Sequence, residues 1–110
     1  MDTYYKPADL ARFPEMGENA PEIGKKFFEW YGAVFADGAL TAREKSLIAL
    51  AVAHAVKCPY CIDAYTQDSL AKGYDLDQMT EAVHVAAAIR GGASLVHGVQ
   101  MRNQIDKLSM

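Results

Sequence analysis

The chain is short of cysteine, of clustered basic residues and of long apolar runs, and each shortage removes a class of function. It has 2 cysteines in 110 residues, too few for the disulfide framework of a small secreted domain. Lys and Arg total 11 against 14 Asp and Glu, a formal net charge of -3, and the basic residues are scattered. No nucleic-acid partner is expected from such a surface. No apolar run approaches the roughly 18 residues needed to cross a bilayer. The start, Met1-Asp2-Thr3-Tyr4-Tyr5-Lys6, lacks the basic and apolar stretches of a signal peptide. No membrane partner and a cytoplasmic address follow as expectations.

What is present suffices for one domain. Hydrophobic residues make up 51% of the chain and charged residues 23%. A core can form, but a domain this small leaves apolar surface outward, which favours self-association. The first 20 residues contain Pro7, Pro14, Gly17 and Asn19 and read as an irregular arm, with one short helix over Pro7 to Arg12. Residues 21–110 read as a helical domain.

Pro21 suits a first helical turn. From Glu22 to Ala36, the residues Ile23, Phe27, Trp30, Tyr31 and Val34 recur at helical spacing, and Asp37-Gly38 stops them. Thr41 with Glu44 is a capping-box pair. It opens an apolar helix from Ala42 to about Val56, most of whose circumference is expected to be buried. Pro59 starts the next helix, which runs to about Lys72, with Gly73 as its stop. Asp75 with Gln78 caps another, interrupted or kinked at Gly91-Gly92. A last helix from Ala93 to about Asp106 turns Leu95, Val96, Val99 and Ile105 inward. No alternating strand pattern is present, so the fold class is all-α.

The two cysteines stand in the run Cys58-Pro59-Tyr60-Cys61. A disulfide across this spacing would close almost no loop, so structural crosslinking is a poor reason for it. In a reducing compartment a lone CxxC is redox-active or metal-binding more often than structural. Pro59 places Cys58 at a helix start, where free backbone N–H groups favour a thiolate. A second thiol three residues on can resolve a sulfenic acid or mixed disulfide. Two cysteines used merely as small apolar filler remain the bland alternative. Zinc would need four ligands, and no second CxxC or paired histidines supply them, so no metal is expected.

His54 lies one turn before Cys58 in an apolar stretch, as a general base or thiolate partner or as a core histidine. Glu44 is about 15 Å of helical rise from His54. It caps its helix, and reaches a thiol site only across the turn, against the helix of Tyr65, or from another subunit. Tyr65, four residues after Cys61, is a candidate hydrogen-bond donor or a core tyrosine. His84 and His97 have no identifiable partners and read as structural or interfacial.

Taken together, Leu40-Thr41-Ala42-Arg43-Glu44-Lys45-Ser46-Leu47-Ile48-Ala49-Leu50-Ala51-Val52, the CxxC with Ile62-Asp63-Ala64, Gly73, Glu81-Ala82 and Ala88-Ile89-Arg90-Gly91-Gly92-Ala93 resemble the carboxymuconolactone decarboxylase superfamily. The CxxC is similar to that of its AhpD-like alkylhydroperoxidase branch, and the full chain looks closest to a peroxidase-like subgroup associated with arsenosugar biosynthesis. The resemblance covers about residues 20 to 106. It implies an AhpD-like helical bundle, homo-oligomers (trimers or hexamers) and a thiol peroxidase without metal, haem or flavin. By the same resemblance Cys61 attacks the peroxide and Cys58 resolves it, and a thiol or disulfide reductant closes the cycle. Ser46 stands where the family relay has Glu, and Tyr65 where it has His, so the expected relay is a rearranged one of Glu44 and His54 with Tyr65 as donor. A decarboxylating lyase like the superfamily's namesake, and a non-catalytic dithiol carrier for trivalent arsenic, are the alternative functions.

Overall fold

Prolines, capping boxes and two left-handed residues divide the chain into a 3-10 arm and five α-helices. In the computed structural model residues 3–109 are described; Met1, Asp2 and Met110, the outermost residues of the expected arm and domain, lie outside them. The arm is a 3-10 helix over Pro7–Gly17, longer than the expected turn to Arg12 and running through Pro14. After it come α1 (Pro21–Phe35), α2 (Ala42–Val56), α3 (Pro59–Ala71), α4 (Leu76–Leu95) and α5 (Gly98–Leu108). No strand occurs among the described residues, and the molecule is all-α.

Local chemistry explains most boundaries. Thr41 and Glu44 complete a reciprocal capping box on α2, and Asp75 and Gln78 complete another on α4. Gly73 takes a left-handed φ of 89° after α3, a conformation that costs a residue with a Cβ about 1 kcal/mol or more. The exception is Gly91-Gly92. Both glycines stay in helical geometry inside α4, and the chain breaks later, at Val96–His97. Glycine lowers helix propensity by about 1 kcal/mol but stops a helix only by turning left-handed or losing a hydrogen bond, and neither happens here.

Helices α2 and α3 form a hairpin, and α4 packs on α2. The core between them is Leu50, Tyr74 and Met79, flanked by Leu47 and Tyr65. Arg43 spans the outside, stacking 3.9 Å above the Tyr74 ring while its Nε donates to the Lys72 carbonyl at 2.9 Å. Inside, the fully buried Ser46 and Ser69 hydroxyls meet at 3.1 Å, so α2 and α3 approach closely with both hydroxyls paired.

Burial is narrower than the sequence pattern suggests. On α2 the side chains of Ile48, Val52 and Val56 are 49%, 52% and 65% exposed, so one face of that helix is uncovered. Leu95, Val96, Val99 and Ile105, expected inward, are all exposed, and no residue of α5 is buried. The Cα radius of gyration is 19.1 Å, against about 13 Å for a compact chain of this length. The accessible surface is 8671 Å², where about 6000 Å² suits a compact 12.0 kDa monomer. The end of α4 and all of α5 project from the hairpin, and their apolar faces stay exposed among the described residues.

Candidate active site

The thiols owe their placement to the turn between α2 and α3. Lys57 adopts a left-handed conformation (φ 57°, ψ 52°) and ends α2, and the Cys58 N–H then folds back to the Ala53 carbonyl at 3.1 Å. This reversal leaves Cys58 as the N-cap of α3, with Pro59 in the first turn. Cys58 Sγ accepts the backbone N–H of Cys61 at 3.2 Å, the position an Asp or Ser oxygen commonly takes. Both thiols are free and half-buried. Burial pushes the Cys61 thiol up to about 11, and the hydrogen bond it gives to Cys58 adds to the rise.

One turn on, the Tyr65 hydroxyl is hydrogen-bonded to that of Tyr31 on α1, and Phe35 stacks on the Tyr65 ring at 5.1 Å. Burial first, then the bond to Tyr31, then the nearby Cys61 and Asp68, raise the Tyr65 pKa above the ordinary tyrosine range. Tyr65 is therefore a neutral phenol that can donate a hydrogen bond and does not serve as a base. Asp68 accepts from Lys72 Nζ at 2.6 Å. Lys72 and the Ser46 hydroxyl hold its carboxyl below the usual carboxylate range.

Two cavities meet at Cys61, Tyr31 and Tyr65. The first, about 430 Å³, is walled largely by apolar side chains, among them Val34, Phe35, Ile48 and Val52, with Cys61 and Tyr65 at its side. The second, about 750 Å³, is lined by Cys58, Cys61, Tyr65 and Asp68 and bounded by Leu10, Phe13 and Met16 of the arm. Arg12 also faces this second space, but its guanidinium is already engaged by Glu15 at 2.9 and 3.1 Å and by Asp9 at 3.7 Å.

The remaining expected residues lie apart from these walls. His54 Nδ1 is 2.8 Å from the Leu50 carbonyl. A carbonyl can only accept, so Nδ1 donates this bond. His54 lines neither cavity. Glu44 sits at the far end of α2, where Oε1 accepts from the Thr41 N–H at 2.9 Å and its hydroxyl at 3.0 Å. Those two bonds lower its pKa, and it too lines neither cavity. His84 is exposed, and His97 Nδ1 meets Gln100 Oε1 at 3.1 Å. No group of three or more His, Cys, Asp or Glu side chains among the described residues could hold a metal ion.

Sequence reasoning missed Tyr31, Asp68 and the arm. Asp68 could have been found, because it lies seven residues after Cys61 and three after Tyr65, on one face of a helix. Tyr31 and the arm reach the thiols only through tertiary packing, and nothing local announces them.

Comparison with known proteins gives consistent results. The family model described as the carboxymuconolactone decarboxylase family matches residues 21–101. A Paracoccus denitrificans protein named uncharacterized protein 4 in cox locus is 36% identical over 102 residues, which is 93% of this chain and 92% of that one. A crystal structure from Methanobacterium thermoautotrophicum has a TM-score of 0.73 at 34% identity, covering 76% of this chain and 94% of that one. An apo carboxymuconolactone decarboxylase family protein from Legionella pneumophila has a TM-score of 0.64 at 29% identity, covering 94% and 89%.

Proposed function

The chain belongs to the carboxymuconolactone decarboxylase family, and we propose that it is an AhpD-like thiol peroxidase that reduces hydroperoxides through the Cys58/Cys61 pair. One observation carries the reading: two free thiols linked across the first turn of α3 line a single cavity large enough for a small molecule. One thiolate attacks the peroxide and becomes a sulfenic acid as the alcohol leaves. The second thiol displaces the oxygen as water and a disulfide remains. A small thiol or a thiol protein then takes up the disulfide electrons by exchange and restores both thiols.

Nothing in this balance needs a metal, haem or flavin. Lactone-acid decarboxylation would leave the second thiol without a task, and Arg12 is already held by two carboxylates rather than free for an acid. The uncovered apolar faces of α2, α4 and α5 suit a homo-oligomer, and the reduced dithiol suits the cytoplasm. No helix among the described residues is long and apolar enough to cross a membrane.

The test is thiol titration with mass spectrometry before and after one equivalent of a hydroperoxide. Loss of both thiols and gain of an intramolecular Cys58–Cys61 disulfide is the expected result. Thiols that survive millimolar peroxide would overturn the proposal.

A further inference from the structure

The family resemblance assigns the attack on peroxide to Cys61, but the surroundings of the two sulfurs differ in the opposite sense. Cys58 Sγ is the one aimed at the start of α3, where it accepts the Cys61 N–H at 3.2 Å. Negative charge at a helix N-terminus is stabilised by the unpaired N–H groups and the helix dipole. Cys61 lies inside the first turn, among Tyr31, Tyr65 and the apolar wall that includes Ala53 and Val56. Of these neighbours the Tyr65 phenol is held neutral and is no base. His54 lines neither cavity. The carboxylates that line the arm-bounded cavity with Cys61 are engaged elsewhere, Asp68 by Lys72 Nζ at 2.6 Å and Glu15 and Asp9 by Arg12 at 2.9 and 3.7 Å, so none is a free base for the Cys61 proton.

We infer that Cys58 is the attacking thiolate, that it meets its oxidant in the arm-bounded cavity, and that Cys61 serves first as proton donor and then as resolving thiol. The cavities agree with this division. Cys58 lines only the space bounded by Leu10, Phe13 and Met16, whereas Cys61 borders both spaces. The rise of the Cys61 thiol towards about 11 keeps its proton in place while Cys58 is still reduced.

The steps balance. The Cys58 thiolate attacks the terminal oxygen of ROOH, the O–O bond breaks, and Cys58 becomes a sulfenic acid. The departing alkoxide takes the Cys61 proton and leaves as ROH. The Cys61 thiolate formed in that transfer attacks the Cys58 sulfur, forms the S–S bond and expels hydroxide, which leaves as water after taking a solvent proton. The peroxide gains two electrons and the thiols lose two. An incoming thiol of the reductant then breaks the disulfide, and a second one releases the mixed disulfide as its own oxidised form. The arm, which lies outside the residues 21–101 matched by the family model, becomes part of the site by this reasoning.

The inference deepens the peroxidase reading and rests on it for the peroxide steps, so the experiment separates the two. Reduced wild-type protein is first labelled with limiting iodoacetamide at pH 7 and mapped by mass spectrometry, which requires no peroxide. Cys58 is expected to carry about tenfold more label than Cys61, since the thiolate fraction sets the rate. Equal labelling, or labelling chiefly at Cys61, overturns the inference. Next, Cys61→Ser and Cys58→Ser are each given one equivalent of hydroperoxide with dimedone. A sulfenate trapped on Cys58 in Cys61→Ser, with oxidation of Cys58→Ser slowed about tenfold or more, is expected. A sulfenate forming on Cys61 in Cys58→Ser at the wild-type rate overturns the order. If labelling favours Cys58 but no form of the protein reacts with hydroperoxide, the peroxidase reading fails and the thiol order stands.

Discussion

Gly24→Ala tests how the arm is held over the dithiol. Gly24 is buried on α1 and faces Gly17 at the end of the arm. A Cβ on Gly24 would lie 2.4 Å from the Gly17 Cα, where ordinary contact begins near 3.4 Å, so the arm must retreat by about 1 Å at that point. Backbone meets backbone there, and no side chain can swing away. Phe13 is placed by this approach, with its ring 5.1 Å from Phe28, 6.0 Å from Phe27 and 6.3 Å from Tyr31. Aromatic pairs of this kind contribute about 0.5–1.5 kcal/mol each, so losing two of the three removes roughly 1–3 kcal/mol of arm docking. Alanine gains about 1 kcal/mol over glycine inside a helix, which offsets part of that loss in global stability.

The loss should therefore appear locally. Amide hydrogen exchange across Ala8–Gly17 is expected to accelerate by about tenfold or more, and iodoacetamide should reach the thiols faster, while the melting temperature changes little. Gly32→Ala is the control, because nothing lies within 4 Å of its Cβ position. It takes the same helical gain without the clash and should raise the melting temperature by a few degrees. If Gly24→Ala behaves like Gly32→Ala, with arm exchange unchanged, the close approach does not hold the arm and the argument fails.

Glu44→Gln should leave peroxide-driven thiol loss unchanged, because glutamine can complete the capping box; Glu44→Ala should lower the melting temperature and still oxidise normally. A rate loss of a hundredfold in either variant, measured on folded protein, would assign Glu44 to the chemistry instead. Leu50 is 1% exposed at the centre of the core, so Leu50→Ala should cost about 2–5 kcal/mol in a urea melt, and a loss under 1 kcal/mol would show that the hairpin core is misread. Cys61 is about 11 in the folded chain and about 8.5 in an unfolded one. The folded state therefore holds the proton more tightly, its contribution is complete below about pH 8.5, and it fades as pH rises towards 11. Urea midpoints of the wild type should fall across that window more steeply than those of Cys61→Ser, and parallel curves would refute the assignment.

Local chemistry made much of this protein legible. Thr41 with Glu44 and Asp75 with Gln78 announce helix starts because side chain and backbone three residues apart must meet whatever the rest of the chain does. Pro59 starts α3 through its fixed φ and Gly73 ends it through its freedom to take a left-handed one, and the CxxC points to the proposed thiol chemistry because few other tasks need two thiols one turn apart. Gly91-Gly92 misled for the same local reason: a weak propensity was read as an interruption or kink, and the helix continued to Leu95. Leu95, Val96, Val99 and Ile105 misled because periodicity marks an apolar face without saying which chain covers it.

The dithiol at the start of α3 was thus determined by the sequence alone, along with the all-helical character and the caps that space the helices. Only the tertiary structure decided that Tyr31 borders the site and that the arm bounds a cavity over Cys58. Caps and turns depend on neighbours three or four residues away. The shape of the cavity depends on contacts between Gly17 and Gly24 and between α1 and α3, which exist only once the chain has folded back on itself.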